Sequence, residues 1–98
     1  MVGFEIFVNV PREKRQEFLQ TFQLMGEASH RHRTCVRQAL FENVDEPNRF
    51  LWVEHWQDNQ ALENYFKSSR FMVLLGAISV LGDEIIEIKR LEMTDINM

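Results

Sequence analysis

Glu54, His55 and Trp56 are consecutive, and Tyr65 follows shortly after them. Three of these side chains could do chemistry, and Glu54 could hold them in place. The Tyr65 phenol can offer its hydroxyl as a hydrogen-bond donor. His55 titrates near neutral pH, which suits a general base. Trp56 can stack on a ring or donate its indole N–H. Glu54 fits a structural role, holding a backbone group or an arginine. Strand alternation places His55 with Leu51 and Val53, opposite Trp52, Glu54 and Trp56, so His55 and Trp56 are not expected in one cavity.

A second cluster is the Ser-His-Arg-His-Arg run, 29–33, followed by Cys35. On a helix, His30 and His32 diverge by about 200°; on an extended segment they share a face. A zinc site needs three or four ligands, so no metal is expected. Arg31, Arg33 and Arg37 read as a solvated basic patch. Cys35 reads as a small, buried strand residue. Met25 and Met72 read as core gap-fillers. Gly76 and Gly82 stand alone in an apolar stretch and form no phosphate loop.

The elements that must position these groups follow from periodicity. Val2 to Val10 alternates, with Phe4, Ile6 and Val8 on one face and Glu5, Phe7 and Asn9 on the other, as in a strand. Pro11 opens a helix over about 12–29, striped by Phe18, Phe22, Met25 and Ala28. Strands follow over 34–43 and 49–57, joined by a turn containing Asp45, Pro47 and Asn48. Asp58 caps a helix carrying Ala61, Leu62, Tyr65 and Phe66. Ser68 and Ser69 interrupt it, and a further helical piece covers about 70–81. Gly82 fits the position just past that helix. A last strand spans 83–93. The order β-α-β-β-α-β is the ferredoxin-like arrangement of the α+β class, with a four-stranded antiparallel sheet.

The chain has 98 residues, the size of a single domain over 1–98. With 45% hydrophobic and 27% charged residues it suits a globular domain rather than a disordered one. A net charge of −4 disfavours binding to a phosphate backbone, so no nucleic-acid partner is expected. A lone cysteine forms no internal disulfide, which points to a reducing cytoplasm. The apolar run 71–81 is too short to span a bilayer, and Glu5 interrupts any N-terminal signal pattern.

The block Phe-Leu-Trp-Val-Glu-His-Trp-Gln-Asp-Asn-Gln-Ala-Leu-Glu-Asn-Tyr-Phe-Lys-Ser-Ser-Arg-Phe, 50–71, resembles the antibiotic biosynthesis monooxygenase superfamily. Glu54 and Trp56 match its Glu-x-Trp strand end, Asp58 its polar cap, Ala61 and Leu62 its helix start, and Ser68 and Phe71 its Ser-x-x-Phe. The resemblance implies a dimeric α+β barrel in which two sheets pack together. Phe7, on the more polar parity of the first strand, independently calls for cover on a second sheet face. The resemblance also implies cofactor-free oxygenation of a small aromatic or quinol-type molecule. Tyr65 and His55 are then the candidate catalytic groups. Trp56, Phe4, Ile6, Leu62, Phe66, Leu75 and Arg37 are the candidate pocket lining. The haem-degrading branch uses an Asn, a Trp and a His; the matching positions hold Ile6, Tyr65 and Leu75, so haem degradation is not expected. Thr34 also stands where many relatives have Gly. A non-catalytic ligand-binding or structural homodimer is the competing reading, in which Phe4, Ile6, Leu62, Phe66 and Leu75 simply fill the core. A proton-transfer enzyme on the same scaffold is a third.

Overall fold

The computed structural model describes residues 1–30, 34–94 and 96, with side chains at all of these except 27–30, 84 and 86. Its elements are β1 (Val2–Asn9), a short 3-10 turn (Arg12–Lys14), α1 (Arg15–His30), β2 (Cys35–Glu42), β3 (Arg49–Trp56), α2 (Asn59–Phe66), α3 (Ser69–Leu81) and β4 (Glu84–Glu92). The sheet order is β2-β3-β1-β4, antiparallel throughout. This is the ferredoxin-like α+β fold.

Local chemistry explains most boundaries. Asp58 accepts a hydrogen bond from the Ala61 N–H at 2.9 Å and starts α2. The Ser68 hydroxyl donates to the Tyr65 carbonyl at 2.6 Å and accepts from the Phe71 N–H at 3.3 Å. It therefore closes one helix and opens the next. Asn48 adopts φ 68° in the β2–β3 turn, a conformation that asparagine tolerates. Gly82 differs from its expected role. Its backbone is extended (φ −85°, ψ 148°) rather than left-handed. A Cβ there would lie 2.6 Å from Val8 Cγ2 and 2.9 Å from the Ile78 carbonyl oxygen, so close approach is what calls for glycine.

Register divides the sheet into two chemically different faces. Phe4 pairs with Glu54, Ile6 with Trp52 and Val8 with Phe50, and all six side chains are buried. Phe18, Leu62, Tyr65, Leu74 and Ile78 from the helices complete this core. Phe18 lies 4.9 Å from Phe50, and Phe22 meets Trp52 edge-on at 4.9 Å. The other face carries Phe7, Leu51, Phe41 and Val53, aligned by the pairs Phe7↔Leu51 and Phe41↔Leu51. Phe41 is 48% exposed there. Met72 is 66% exposed, so it does not fill a core gap as its sequence context suggested.

Gly3 sits opposite His55, and a Cβ on it would fall 2.2 Å from the Glu54 carbonyl oxygen. Gly3→Ala must therefore spread β1 from β3. We expect a loss of about 1–3 kcal/mol in denaturant-melting stability, the usual cost of overpacking. An unchanged midpoint would show that the strands yield without penalty.

Candidate functional site

Alternation along β3 delivers Trp52, Glu54 and Trp56 to the helix-covered face. Register brings Gln38 of β2 opposite Glu54. Three side-chain N–H groups converge on the Glu54 carboxylate. Trp52 Nε1 donates to Oε2 at 2.9 Å, Gln38 Nε2 donates to Oε2 at 3.0 Å, and Trp56 Nε1 donates to Oε1 at 3.2 Å. Glu54 is 0% exposed. Desolvation raises its pKa, against the opposing pull of the three donors and of the Arg70 charge. The sequence suggested a backbone or arginine partner. The indoles of its own strand fill that role instead, because residues two apart on a strand share a face.

The carboxylate fixes Trp56, and Trp56 fixes the next layer. Tyr65 stacks on the Trp56 indole with centroids 4.4 Å apart and planes at 27°. It also stacks on Phe4 at 6.1 Å and meets Phe71 edge-on at 5.4 Å. Helical spacing of Leu62 and Tyr65 turns both inward. The Arg70 guanidinium lies 5.5 Å from the Tyr65 ring centroid. Burial, followed by the nearby Glu54 charge, holds the Tyr65 pKa well above its ordinary value. Tyr65 is therefore a neutral phenol and a hydrogen-bond donor at physiological pH, not a base.

A cavity of about 210 Å³ opens beside this stack, lined by Thr34, Trp56, Ala61, Asn64, Tyr65 and Ser68. Gln60 Nε2 donates to Asn64 Oδ1 at 3.0 Å, which leaves the Asn64 amide N–H groups as donors. The Ser68 hydroxyl proton is already given to the Tyr65 carbonyl. The lining is thus one aromatic wall and a neutral, donor-bearing rim.

Of the expected residues, the structure gathers Tyr65 and Trp56 at this cavity. Phe4, Ile6 and Leu62 are buried beneath it as solid core, and Phe66 and Leu75 pack against that core without lining the cavity. His55 and Arg37 pair across the strands on the opposite sheet face. The sheet therefore separates His55 from Tyr65, as alternation along β3 requires. Partial burial, and then the Arg37 charge, lower the His55 pKa, while Glu5 raises it. Thr34, Ala61, Asn64 and Ser68 were not singled out as lining. Ser68 lies at the break between α2 and α3, Ala61 and Asn64 on α2, and Thr34 just before β2, so packing between these segments is what brings them together.

The opposite face holds a larger cavity of about 420 Å³, lined by Phe7, Phe41, Leu51, Arg49 and Glu87 among others. Its ionic groups are largely committed: Glu42 is bonded by Arg15, and Arg49 to Glu46. Cys35 is half-buried, and its thiol is pushed up to about 11 by burial and by Glu54, so it is a poor nucleophile. Among the described residues no group of three or more His, Cys, Asp or Glu is placed to hold a metal. The run Arg31 to Arg33, with the His30 side chain, lies outside the described residues, and with it the metal and basic-patch readings.

A split β-α-β sheet with helices on one face defines a ferredoxin-like α+β domain, here with an aromatic-walled cavity beside α2. The family model for antibiotic biosynthesis monooxygenase matches residues 1–73, and the chain belongs to that family. It is 26% identical over 95 residues to YcnE of Bacillus subtilis (strain 168), named a putative monooxygenase, covering 97% of this chain and 100% of that one. The structure of a putative antibiotic biosynthesis monooxygenase from Deinococcus radiodurans superposes with a TM-score of 0.85 at 20% identity, covering 100% of this chain and 98% of that one. A conserved protein from Methanosarcina mazei Go1 gives 0.83 at 20% identity, covering 95% and 92%. Among the described residues no helix is long and apolar enough to cross a membrane.

Proposed function

We propose that this protein is a homodimeric, cofactor-independent monooxygenase that acts on a small, electron-rich phenol or quinol held against Trp56 and Tyr65. One observation carries the reading: a stacked Trp–Tyr pair opens onto a cavity whose rim offers neutral hydrogen-bond donors. A ring stacked there directs its oxygen at the Tyr65 hydroxyl and the Asn64 amide. These donors, with the Arg70 charge behind Tyr65, favour the phenolate over the phenol. The described lining holds no carboxylate or imidazole, so the substrate proton leaves to water through the open mouth. The phenolate then gives one electron to dioxygen. The resulting pair combines at an unsubstituted ring carbon (para in a phenol, ortho to one oxygen in a quinol) as a peroxide, which takes up a proton and loses water. The balance is phenol plus O2 giving quinone plus water, or quinol plus O2 giving hydroxyquinone plus water, and the ring supplies every electron.

The apolar second sheet face supports the homodimer. Phe7, Phe41 and Leu51 form a patch that a symmetry-related copy can cover. We expect light scattering to give twice 11.7 kDa, about 23 kDa. Leu51→Glu, which charges the middle of that patch, should yield monomers at micromolar concentration. A wild-type monomer would remove the barrel from this reading. A single cysteine and a family of small soluble domains are consistent with action in a reducing cytoplasm.

The test of oxygenation is an oxygen electrode with a panel of single-ring quinols and electron-rich phenols. Monooxygenation consumes one O2 per ring and leaves no peroxide, so catalase should return no oxygen. The dense packing of Phe4, Ile6 and Leu62 favours the competing reading, a non-catalytic ligand-binding dimer. That reading predicts binding with no protein-dependent oxygen uptake.

A further inference from the structure

The outer side of α3 carries apolar surface that neither the core nor the second sheet face uses. No charged residue lies between Arg70 and Asp83 in the sequence. A helix that is apolar all round is ordinarily covered all round. Leu74, Ile78 and Leu81 of α3 are buried in the core, so its opposite side is left in solvent. That side carries Met72, Val73, Gly76, Ser79 and Val80. Met72, Val73 and Val80 are 66%, 61% and 70% exposed. A Cβ on Gly76 would meet nothing within 4 Å, so the fold of one chain does not call for glycine there.

We propose that this stripe joins two copies of the chain, packed with their α3 helices antiparallel about a two-fold axis at Gly76. Two features pick a second copy as the occupant. The first is self-complementarity. Met72 and Val73 stand four and three residues before Gly76, and Ser79 and Val80 stand three and four residues after it. An antiparallel two-fold therefore sets Met72 against Val80 and Val73 against Ser79, twice over, as an isologous contact requires. Gly76 meets its own symmetry mate, which lets the axes approach to about 8 Å, the near end of the usual range. The second feature is charge. Among the described residues Asp83, just past α3, makes no ion pair. Lys14 is engaged with the Val80 carbonyl at 3.1 Å. The pairing brings Asp83 to the start of the other copy's helix, where Lys67, Arg70 and the positive helix end lie. A parallel pairing would set like charges together. One helix pair buries less than the roughly 1,200 Å² of a stable interface. The contact therefore forms well above micromolar concentration and links sheet-face dimers in pairs. It does not rest on the oxygenation reading.

The test is light scattering of the full chain across concentration. The wild-type mass should double between about 10 μM and about 1 mM, from about 23 kDa toward about 47 kDa, four chains. Gly76→Glu sets two carboxylates on the axis, and the space around residue 76 leaves the fold intact. This variant should show no doubling and a thermal midpoint no lower than wild type, since Glu favours a helix more than Gly does. Cross-linking reads the direction. In a Cys35→Ala background, Gly76→Cys should form a disulfide-linked pair on mild oxidation. Met72→Cys should not, because in an antiparallel pair it lies about 12 Å from its own counterpart, beyond the reach of a disulfide. A wild-type mass that does not change up to about 1 mM, doubling of Gly76→Glu like that of wild type, or cross-linking at residue 72 equal to that at residue 76 overturns the proposal. Flotation of a non-associating wild type with phosphatidylcholine vesicles also overturns it, by making the stripe a lipid-facing surface. Leu51→Glu separates the two interfaces. It should halve the mass at micromolar concentration and keep the doubling that Gly76→Glu removes.

Discussion

Glu54→Ala will be the most destabilising of the substitutions considered, by about 3 kcal/mol or more in chemical denaturation. The change removes one acceptor but strands two buried indole donors and a half-buried amide donor, and each buried stranded donor costs about 1–3 kcal/mol. The sum will fall short of full additivity because the three share one partner. The damage will also be visible in near-ultraviolet circular dichroism, since both indoles lose their anchor. Glu54→Gln keeps an oxygen for Trp52 and Gln38 but turns an amide N–H toward the Trp56 donor, so its cost will be smaller, about 1–2 kcal/mol. The pair also isolates a pH dependence. The folded-state pKa of Glu54 lies above its ordinary value of 4.5 because burial disfavours the charged form. The folded protein therefore holds a proton that the unfolded chain releases. This stabilisation is complete below pH 4.5 and is lost as pH rises toward the folded-state value. His55 runs the other way: its pKa is lowered, so stability rises with pH up to 6.5. Subtracting the Glu54→Gln profile from the wild-type profile removes His55 and leaves the Glu54 slope. A difference that is flat or rises with pH would mean that Glu54 is stably ionised at all these values. A loss below 1 kcal/mol for Glu54→Ala would mean that water replaces the carboxylate.

Tyr65→Phe will lower kcat by about 10²-fold on any phenol or quinol that supports oxygen uptake, the usual consequence of removing one donor from a developing oxyanion. Its stability will change by less than about 1 kcal/mol, since the hydroxyl makes no hydrogen bond among the described residues and the ring contacts remain. Because the Tyr65 pKa is raised, the hydroxyl stays protonated across the physiological range. The rising limb of the pH–rate profile therefore belongs to the substrate, at about tenfold per unit below its own pKa. His55→Ala supplies the contrast. His55 lies across the sheet from the cavity, and its removal should leave kcat and that limb within about twofold of wild type. Equal turnover in Tyr65→Phe would take the hydroxyl out of the mechanism. A collapse in His55→Ala would relocate the chemistry to the other sheet face.

The likeness to relatives is carried most specifically by 50–71, with the strand-helix start at Val8 to Phe22 and Cys35 in support, and the fold by periodicity along the chain. Alternation puts Trp56 and His55 on opposite parities of β3, but does not say which parity meets the helices, because Leu51 and Val53 are as apolar as Phe50 and Trp52. The pairing of β3 with β1 decides this: Ile6 and Phe4 oppose Trp52 and Glu54, and α2 packs over them. Three residues of the lining that the resemblance implies are buried in the core. Phe4, Ile6 and Leu62 have the right identity for a pocket wall but lie in the core, while Asn64 of α2, Ser68 between the helices and Thr34 before β2 meet at the rim.

What the sequence determined by itself is local. Alternation, helical stripes and the Asp58 and Ser68 caps act between residues a few positions apart, so strand, helix and their order are written in short stretches of chain. What only tertiary structure decided is non-local. That Glu54 collects Gln38 from another strand, that Gly82 is needed for contact with Val8, and that the cavity stops at about 210 Å³ depend on register and packing between distant segments. Glu54 takes two donors from its own strand and the third from β2, and only the register between β2 and β3 completes that set.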